Sequence, residues 1–533
     1  MRQLWRFLST LLVVLLVFPF PGATLAGEAA APAGTIALMP LDSRPCNTQY
    51  PTLLAETAGA ELLLPPEDAM DQFLTAADTD ALWQWLEDAA AEAGHLVIFT
   101  NSLFCGGLIA SRDSDSYDDV ESDLARLRDL CSTFKEDPAH SITVVQVLPR
   151  LSPNQYDADF APYYGALTAY GKAWDTADAA GEAAPQTADG VPQEVLAAYR
   201  ALHEKSADLA YSLNRMAQEG LIDSLYISQD DGASACPANI TFRDLSYVAA
   251  ENTQCIHGVD ELSMLLVSDL ACGDMAATPV RLVYSDAADA ERLYPYEPIS
   301  LAAMTAEKLD LAGLTEDDSA DATLYIHTDT SDAQATAQAI AAQGEGWFGL
   351  ADVALTNRAD PALAETLLSA DSFDQIDGYA GWNTAGNSIG TVCAELRATA
   401  ALDARWDSLS SEARIRAVQA LYTFKAVRLG EDVCYMADLR QDLVEAFASE
   451  GYSDATGAYV STEAWDAANT RLSDAYAAYD ASLAALFNGA HTLDLGSRTV
   501  SVTLADFSGT AVFPWARSFE VQITPQMTCT IDG

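Results

Sequence analysis

Basic residues are scarce in this chain. Only 27 lysines and arginines stand against 78 aspartates and glutamates, a formal net charge of −51 at pH 7 over 533 residues. A surface of that sign repels phosphodiester backbones and anionic lipid, which argues against nucleic acid as a partner. Zinc-type spacing is missing as well. The nine cysteines, from Cys46 to Cys529, include no CxxC pair, and their odd number leaves at least one thiol outside any intrachain disulfide. Neither HExxH nor the GxxxxGK[ST] phosphate loop occurs. Beyond the N-terminus no apolar run approaches the ~20 residues that a bilayer span needs.

The N-terminus itself has the order of a secretory signal. "MRQLWR" carries two arginines, "FLSTLLVVLLVF" is a short apolar core, and "GATLAGEA" offers small residues for cleavage after Ala26. Gly27, not a cysteine, follows that point, so no lipid anchor is expected. The expected mature protein is exported, with no membrane span left after cleavage of residues 1–26.

From Thr35 onward one theme repeats: a short apolar run, a polar or Gly/Pro turn, then helical spacing. The strand candidates are "TIALMP", "AELLLPP", "HLVIFTNS", "SITVVQVLP", "DSLYISQDD", "TQCIHG", "PVRLVYS", "ATLYIHTD", "WFGLADV" and "IDGYAGWN". Such alternation predicts βαβ units around parallel sheets. Ten strands are too many for one eight-stranded barrel, which favours two Rossmann-like α/β lobes, residues 34–274 and 275–400, over a (β/α)8 barrel with an extra domain. Residues 401–490 read as helical and Ala-rich. Residues 491–533 alternate apolar and polar and predict a small antiparallel β element.

Polar residues gather after the predicted strands. Parallel sheets bind ligands at that end, so these residues are expected to converge on one cleft. In "PLDSRPCN", Asp42, Arg44 and Asn47 combine an acid, a planar two-pronged donor and an amide; a structural Asp42–Arg44 pair is the competing reading. Asn101 follows the third strand. In "SQDD", Gln229 precedes adjacent carboxylates, Asp230 and Asp231, where a turn needs one. The pair can divide into acid and base, orient a substrate acetamido group, or hold a divalent cation. "IHGVDELSMLL" sets His257, Asp260 and Glu261 before a helix, where acids are also favoured by the helix dipole. "GLADVALTNRADP" adds Asp352, Asn357 and Asp360. "GYAGWNTAGNSIG" brings Trp382, Asn383 and Asn387, whose amides and aromatic face suit polyhydroxylated ligands. Cys105 in "LFCGGL" is a conceivable nucleophile, although nothing near it in sequence supplies a base.

Taken in order, "PLDSRPCN", "SLFCGGLIASR", "GLIDSLYISQDD", "HGVDELSMLL", "ADVALTNRADP", "GYAGWNTAGNSIG" and "PWARSFEV" resemble a bacterial family catalogued as domain of unknown function 4127. The resemblance runs from Ile36 to Val521. The family's first motif is usually PLDDRPxN, so Ser43 stands here in place of an acid. The resemblance implies a site map and no activity.

The chemistry of these motifs leads to an expectation of a secreted carbohydrate-active enzyme, a glycoside hydrolase. Asp230 and Asp231 would be the reacting pair, with Asp42 or Glu261 as a further acid or base. Arg44, Asn47, Asn101, Gln229, His257, Asp260, Asp352, Asn357, Trp382, Asn383 and Asn387 would hold an oligosaccharide or smaller substrate. No cofactor is required, although a divalent cation is allowed. The alternatives are a divalent-metal-dependent hydrolase or isomerase built on His257, Asp260, Asp230 and Glu261, and a non-catalytic sugar-binding protein. The first expectation is tested at the N-terminus: sequencing of the natively exported protein should begin at Gly27, and recovery of Met1 would refute signal cleavage.

Overall fold

The computed structural model describes residues 34–344, 346–454 and 457–532. The signal sequence expected over residues 1–26 lies outside the described residues. Two open parallel sheets dominate. The first contains β1 (Thr35–Met39), β2 (Glu61–Leu63), β3 (His95–Phe99), β4 (Ser141–Leu148), β5 (Ser224–Gln229) and β6 (Thr253–His257), in the spatial order β2-β1-β3-β4-β5-β6. The second contains β7 (Thr278–Tyr284), β8 (Leu314–Glu316), β9 (Thr323–His327), β10 (Phe348–Asp352) and β11 (Gly378–Ala380), ordered β11-β10-β9-β7-β8. The barrel alternative is therefore not what forms, since neither sheet closes on itself. All ten strands expected from the sequence are present. The additional strand, β8, is three residues of "LTE", too short to show a period.

Both sheets share one winding. Counted within each lobe, the order is 2-1-3-4-5, extended by a sixth strand in the first lobe, so the chain reverses direction beside the lobe's first strand. Ligands in such sheets bind outside the carboxyl ends of the strands at that reversal. The first sheet is buried on both faces, which explains its unbroken apolar runs. Ile36, Leu38, Val97, Phe99, Val145 and Val147 enter one core, while Ala37, Met39, Leu96, Ile98, Ile142 and Val144 enter another. The side-chain period of two along each strand divides them this way.

The two lobes share the first of these cores through two helices. Leu262–Cys272 follows β6 and packs against β1, β3 and the helix Gln49–Thr57. Ala385–Arg405 follows β11 and is buried along nearly its whole length between the second sheet and Leu262–Cys272. Thr384 starts it with a capping box: its hydroxyl accepts from Asn387 N, and the Asn387 side chain accepts from Thr384 N. The helix Ser411–Arg428 continues into Leu429–Leu439, where the turns widen, and Arg440 N donates to Tyr435 O five residues back. A final antiparallel sheet holds β12 (Gly489–Asp494), β13 (Thr499–Val512) and β14 (Gln522–Asp532). Among the described residues no helix is long and apolar enough to cross a membrane.

Close approach of helix to strand explains a glycine in the interior of β10. A Cβ on Gly349 would lie 2.6 Å from Val392 Cγ1 and 3.0 Å from Leu396 Cδ1 of the helix Ala385–Arg405. Gly349→Val should therefore lower stability by about 1–3 kcal/mol through overpacking, read as a lower urea midpoint. An unchanged midpoint would mean that strand and helix do not meet this closely.

Candidate functional site

The loop after β1 is built around Asp42. Its carboxylate accepts from Arg44 N at 3.1 Å, from Arg44 Nη2 at 2.7 Å and from Asn47 Nδ2 at 2.9 Å. Asn47 in turn accepts from Ser263 Oγ at 3.2 Å, fixing the loop to the helix that follows β6. Arg44 turns its other edge to Asp260, with Nη2 at 2.6 Å from Oδ1 and Nη1 at 3.1 Å from Oδ2. Asn383, from the loop after β11, donates to the same Asp260 carboxylate at 3.1 Å. Residues from both lobes thus meet on one acid.

Strand register explains the next pair. Leu148 of β4 is level with Gln229 of β5. Arg150 and Asp231, each two residues further on, meet as an ion pair of 2.8 Å. Asp230 faces the other way along the turn and pairs with Arg112, from the segment after β3, at 2.7 Å. The adjacent acids therefore have separate cationic partners. Asp231 has a left-handed backbone, φ 38°, which lets consecutive side chains diverge into these two pairs.

These groups open onto a cleft of about 690 Å3. Arg44, Arg112, Arg150, Asp230, Asp231 and Asp260 come to it from the first lobe, and Tyr296, Asn357 and Asn383 from the second. The segment joining β13 to β14 adds Trp515, Arg517 and Phe519, and the end of the widened helix adds Arg440. Trp515 donates its Nε1 proton to Ser43 Oγ at 2.8 Å, and the Arg44 guanidinium lies 5.2 Å from the Trp515 ring. The C-terminal β element is thereby one wall of the cleft.

Backbone strain concentrates here. Six non-glycine residues among those described have a left-handed backbone, and four of them, Asp231, Tyr296, Asn357 and Asn383, line this cleft. Asn tolerates that geometry best, whereas for a bulky Tyr it is an outlier. Such conformations cost about 1–3 kcal/mol each and persist where surrounding structure enforces them. Here Asn357 N donates to Asn383 O at 2.7 Å, so one strained turn holds the other.

The acids differ in environment. Burial, reinforced by the charge of Asp230 and opposed by Arg150 and Arg112, raises the Asp231 carboxyl above its ordinary range. Burial also pushes Asp260 up to about 6, with Arg44 pulling it down and Asp42 adding to the rise. Under the cleft, Asp71 is pushed up to about 8 by burial and by Asp42. Its Oδ1 accepts from Ser43 N at 2.8 Å, and its Oδ2 is buried without a partner, a setting that disfavours the charged form.

Other residues expected at the site lie elsewhere. Asp42 and Asn47 sit behind Arg44 and support it. Asn101 grips β4, donating to Val147 O at 2.9 Å and accepting from Val147 N at 2.8 Å. Gln229 is buried and turned toward Cys236 and Asn239. Glu261 is buried against Lys308 at 2.8 Å and accepts from Asn387 Nδ2. His257 pairs with Glu307 at 2.9 Å. Asp352 accepts from Asp360 N at 2.6 Å, and burial pushes it up to about 7. Trp382 is buried, donates to Thr391 Oγ1 at 3.1 Å, and lines a small cavity of about 20 Å3 that shares Arg44, Asp260, Asn383 and Phe519 with the cleft. Cys105 is buried and its thiol is pushed up to about 12, unsuited to a nucleophile.

The four residues of the metal reading are thus divided among four partners: His257 with Glu307, Glu261 with Lys308, Asp260 with Arg44, and Asp230 with Arg112. Among the described residues no group of three or more His, Cys, Asp or Glu has a metal-holding arrangement. Arg112, Arg150, Arg440, Arg517 and Trp515 were not anticipated as site residues. Arg112, Arg517 and Trp515 stand inside motifs already noted, "SLFCGGLIASR" and "PWARSFEV". In a chain so poor in cations, each motif arginine was the available signal.

A model of a family described as "Protein of unknown function (DUF4127)" matches residues 36–524. No curated protein and no solved structure matches the chain.

Protonation of Asp71 should be measurable in stability. Its folded value, about 8, exceeds the ordinary 3.8, so the folded state binds the proton more tightly. The resulting stabilisation is complete below about pH 3.8 and is lost as pH rises to about 8. Asp71→Asn keeps the acceptor for Ser43 N and removes the titration. Its melting temperature should fall less than wild type's across that window, and parallel profiles would refute a protonated Asp71.

Proposed function

For a chain that belongs to the DUF4127 family, we propose an exported hydrolase that acts on carbohydrate by acid–base chemistry in the strand-end cleft. The observation that carries this reading is the pair Asp230 and Asp231, adjacent in sequence yet unequal in surroundings, opening on one large cleft. Pairs of carboxylates held in different environments are how one site supplies both a proton donor and a charged partner near neutral pH. Asp231, raised by burial and by its neighbour, is the donor in this scheme. Asp230, beside the permanently charged Arg112, is the anionic partner. Asp260 takes the further acid or base role, in place of Asp42 and Glu261, which do not line the cleft.

Carbohydrate is supported by the rest of the lining. Trp515, Phe519, Tyr156, Tyr164 and Tyr296 offer aromatic faces, while Asn357, Asn383, Gln155, Ser152 and Thr168 offer uncharged donors and acceptors. The volume falls within the ~300–1,000 Å3 of small-molecule sites. A second reading, a sugar-binding protein without turnover, has one observation in its favour. Each acid at the cleft is engaged by an arginine: Asp230 by Arg112, Asp231 by Arg150 and Asp260 by Arg44.

Turnover separates the two. Aryl glycosides, including N-acetylhexosaminides, are screened first against the wild-type protein. With a substrate found, Asp230→Asn and Asp231→Asn should each lower kcat/KM by about 10²-fold or more, with the melting temperature little changed. Asn can fill the same turn but cannot exchange a proton near neutral pH. Wild-type rates in both variants would remove the pair from the mechanism. Ligand binding without turnover would establish the second reading.

A further inference from the structure

The cations of this chain are not evenly spread. Of 27 lysines and arginines, six line the one cleft: Arg44, Arg112, Arg150, Lys172, Arg440 and Arg517. Three acids, Asp230, Asp231 and Asp260, line it with them. A molecule of net charge −51 therefore carries its candidate ligand site on a locally cationic surface. Solubility does not require this, and attraction of a neutral sugar does not require it either.

Pairing among these groups leaves capacity unused. Arg44, Arg112 and Arg150 have their aspartates, and Arg517 pairs with Glu520 at 2.9 Å. Arg440 donates its Nε proton to Ser518 O at 2.9 Å, and among the described residues neither Arg440 nor Lys172 has a carboxylate partner. The Nε atoms of Arg112 and Arg150 are both buried without an acceptor. Burial lowers the pKa of Arg112, with Asp230 opposing the fall and Arg150 adding to it, whereas Asp231 and Asp230 raise that of Arg150. Arg517 lies 4.7 Å from the Trp515 ring and 5.4 Å from the Phe519 ring, so its planar group is held in place against aromatic faces that a sugar can share.

Resting on the carbohydrate reading above, we propose that the ligand of this cleft is an acidic saccharide, a sugar chain bearing a carboxylate or a phosphate or sulfate ester. A guanidinium fork matches the paired oxygens of all three groups, and charge-assisted bonds of this kind are about twice as strong as neutral ones. Asp231 gives its proton to the glycosidic oxygen as the bond to the anomeric carbon breaks, Asp230 takes a proton from the water that attacks that carbon, and Arg440 and Lys172 hold the anionic substituent. The many surface acids repel polyanions in general, so selection falls to the cleft.

The test is calorimetric titration of the full chain with matched pairs: an oligogalacturonate and its methyl ester, a phosphorylated oligomannoside and its dephosphorylated form, and a sulfated oligosaccharide and its desulfated form. At least one acidic member should bind about tenfold or more tightly than its neutral partner, the scale of one strong charge-assisted contact. The pair that responds identifies the source of the anion. In the double variant Arg440→Gln, Lys172→Gln that preference should fall below about threefold, with the melting temperature unchanged. Equal or tighter binding of the neutral member in every pair would overturn the acidic ligand and leave the carbohydrate reading standing. Binding of inorganic phosphate with no saccharide bound would overturn both. A preference kept in full by the double variant would overturn the role of Arg440 and Lys172, and with it this inference.

Discussion

One guanidinium holds the site together. Arg44 lies buried between Asp42 and Asp260, with hydrogen bonds to both carboxylates. Burial alone would lower its pKa, yet Asp260 and Asp42 outweigh that and raise it, so the cation is fixed in place. Without it two carboxylates would remain in the interior uncompensated, a change that costs about 3–5 kcal/mol when a buried pair is broken. Lysine would not replace it, because a point charge cannot present two edges to two acids. Through this one residue the loop after β1, the turn after β6 and, by way of Asn383, the second lobe come to a common position. Trp515 adds the C-terminal wall to the same group.

That contact depends on the course of the chain after β6. Three strands separate β1 from β6 in the sheet, too far for a side chain to bridge along the edge. The helix Leu262–Cys272 instead turns back over the sheet and packs on β1 and β3, which carries Asp260 toward Arg44. Gly258 permits the turn. Its φ is +84°, and a Cβ there would collide with the Glu261 carboxylate. Asp260 and Glu261 then part: the first opens on the cleft, and the second is buried against Lys308 of the second lobe. One turn serves both the site and the junction between the lobes.

Asp230 and Asp231 answer to the same logic. The left-handed Asp231 sends two neighbouring acids to two arginines, one from the segment after β3 and one from the end of β4. Strand-end loops of a parallel sheet make this possible, because the segments after β1, β3, β4, β5 and β6 all face one volume. The charge distribution follows from it. Acids spread over a surface facing water need no partners, whereas acids gathered at a closed edge of the sheet need cations among them. At the cleft Arg44, Arg112 and Arg150 supply them, one to each of Asp260, Asp230 and Asp231.

The sequence by itself determined the elements: apolar runs flanked by turns set the strands, and alternation with helical spacing set their parallel arrangement. It also determined which end of the sheets is polar, and it singled out Arg44, Asp230, Asp231, Asp260, Asn357 and Asn383, all of which line the cleft. Strand period and turn chemistry are local, operating over a few residues, and so they can be read along the chain. Tertiary structure alone decided which polar residues face solvent and which are consumed inside. Asn101, Gln229, Glu261, His257 and Asn387 are as polar as the cleft residues, yet backbone groups, amides and neighbouring charges engage them. It alone decided that Arg112, Arg150, Arg440 and Trp515, spread over some 400 positions of the chain, belong to one volume. The physical reason is that ion pairing and burial act through distance in space, and a sequence records only distance along the backbone.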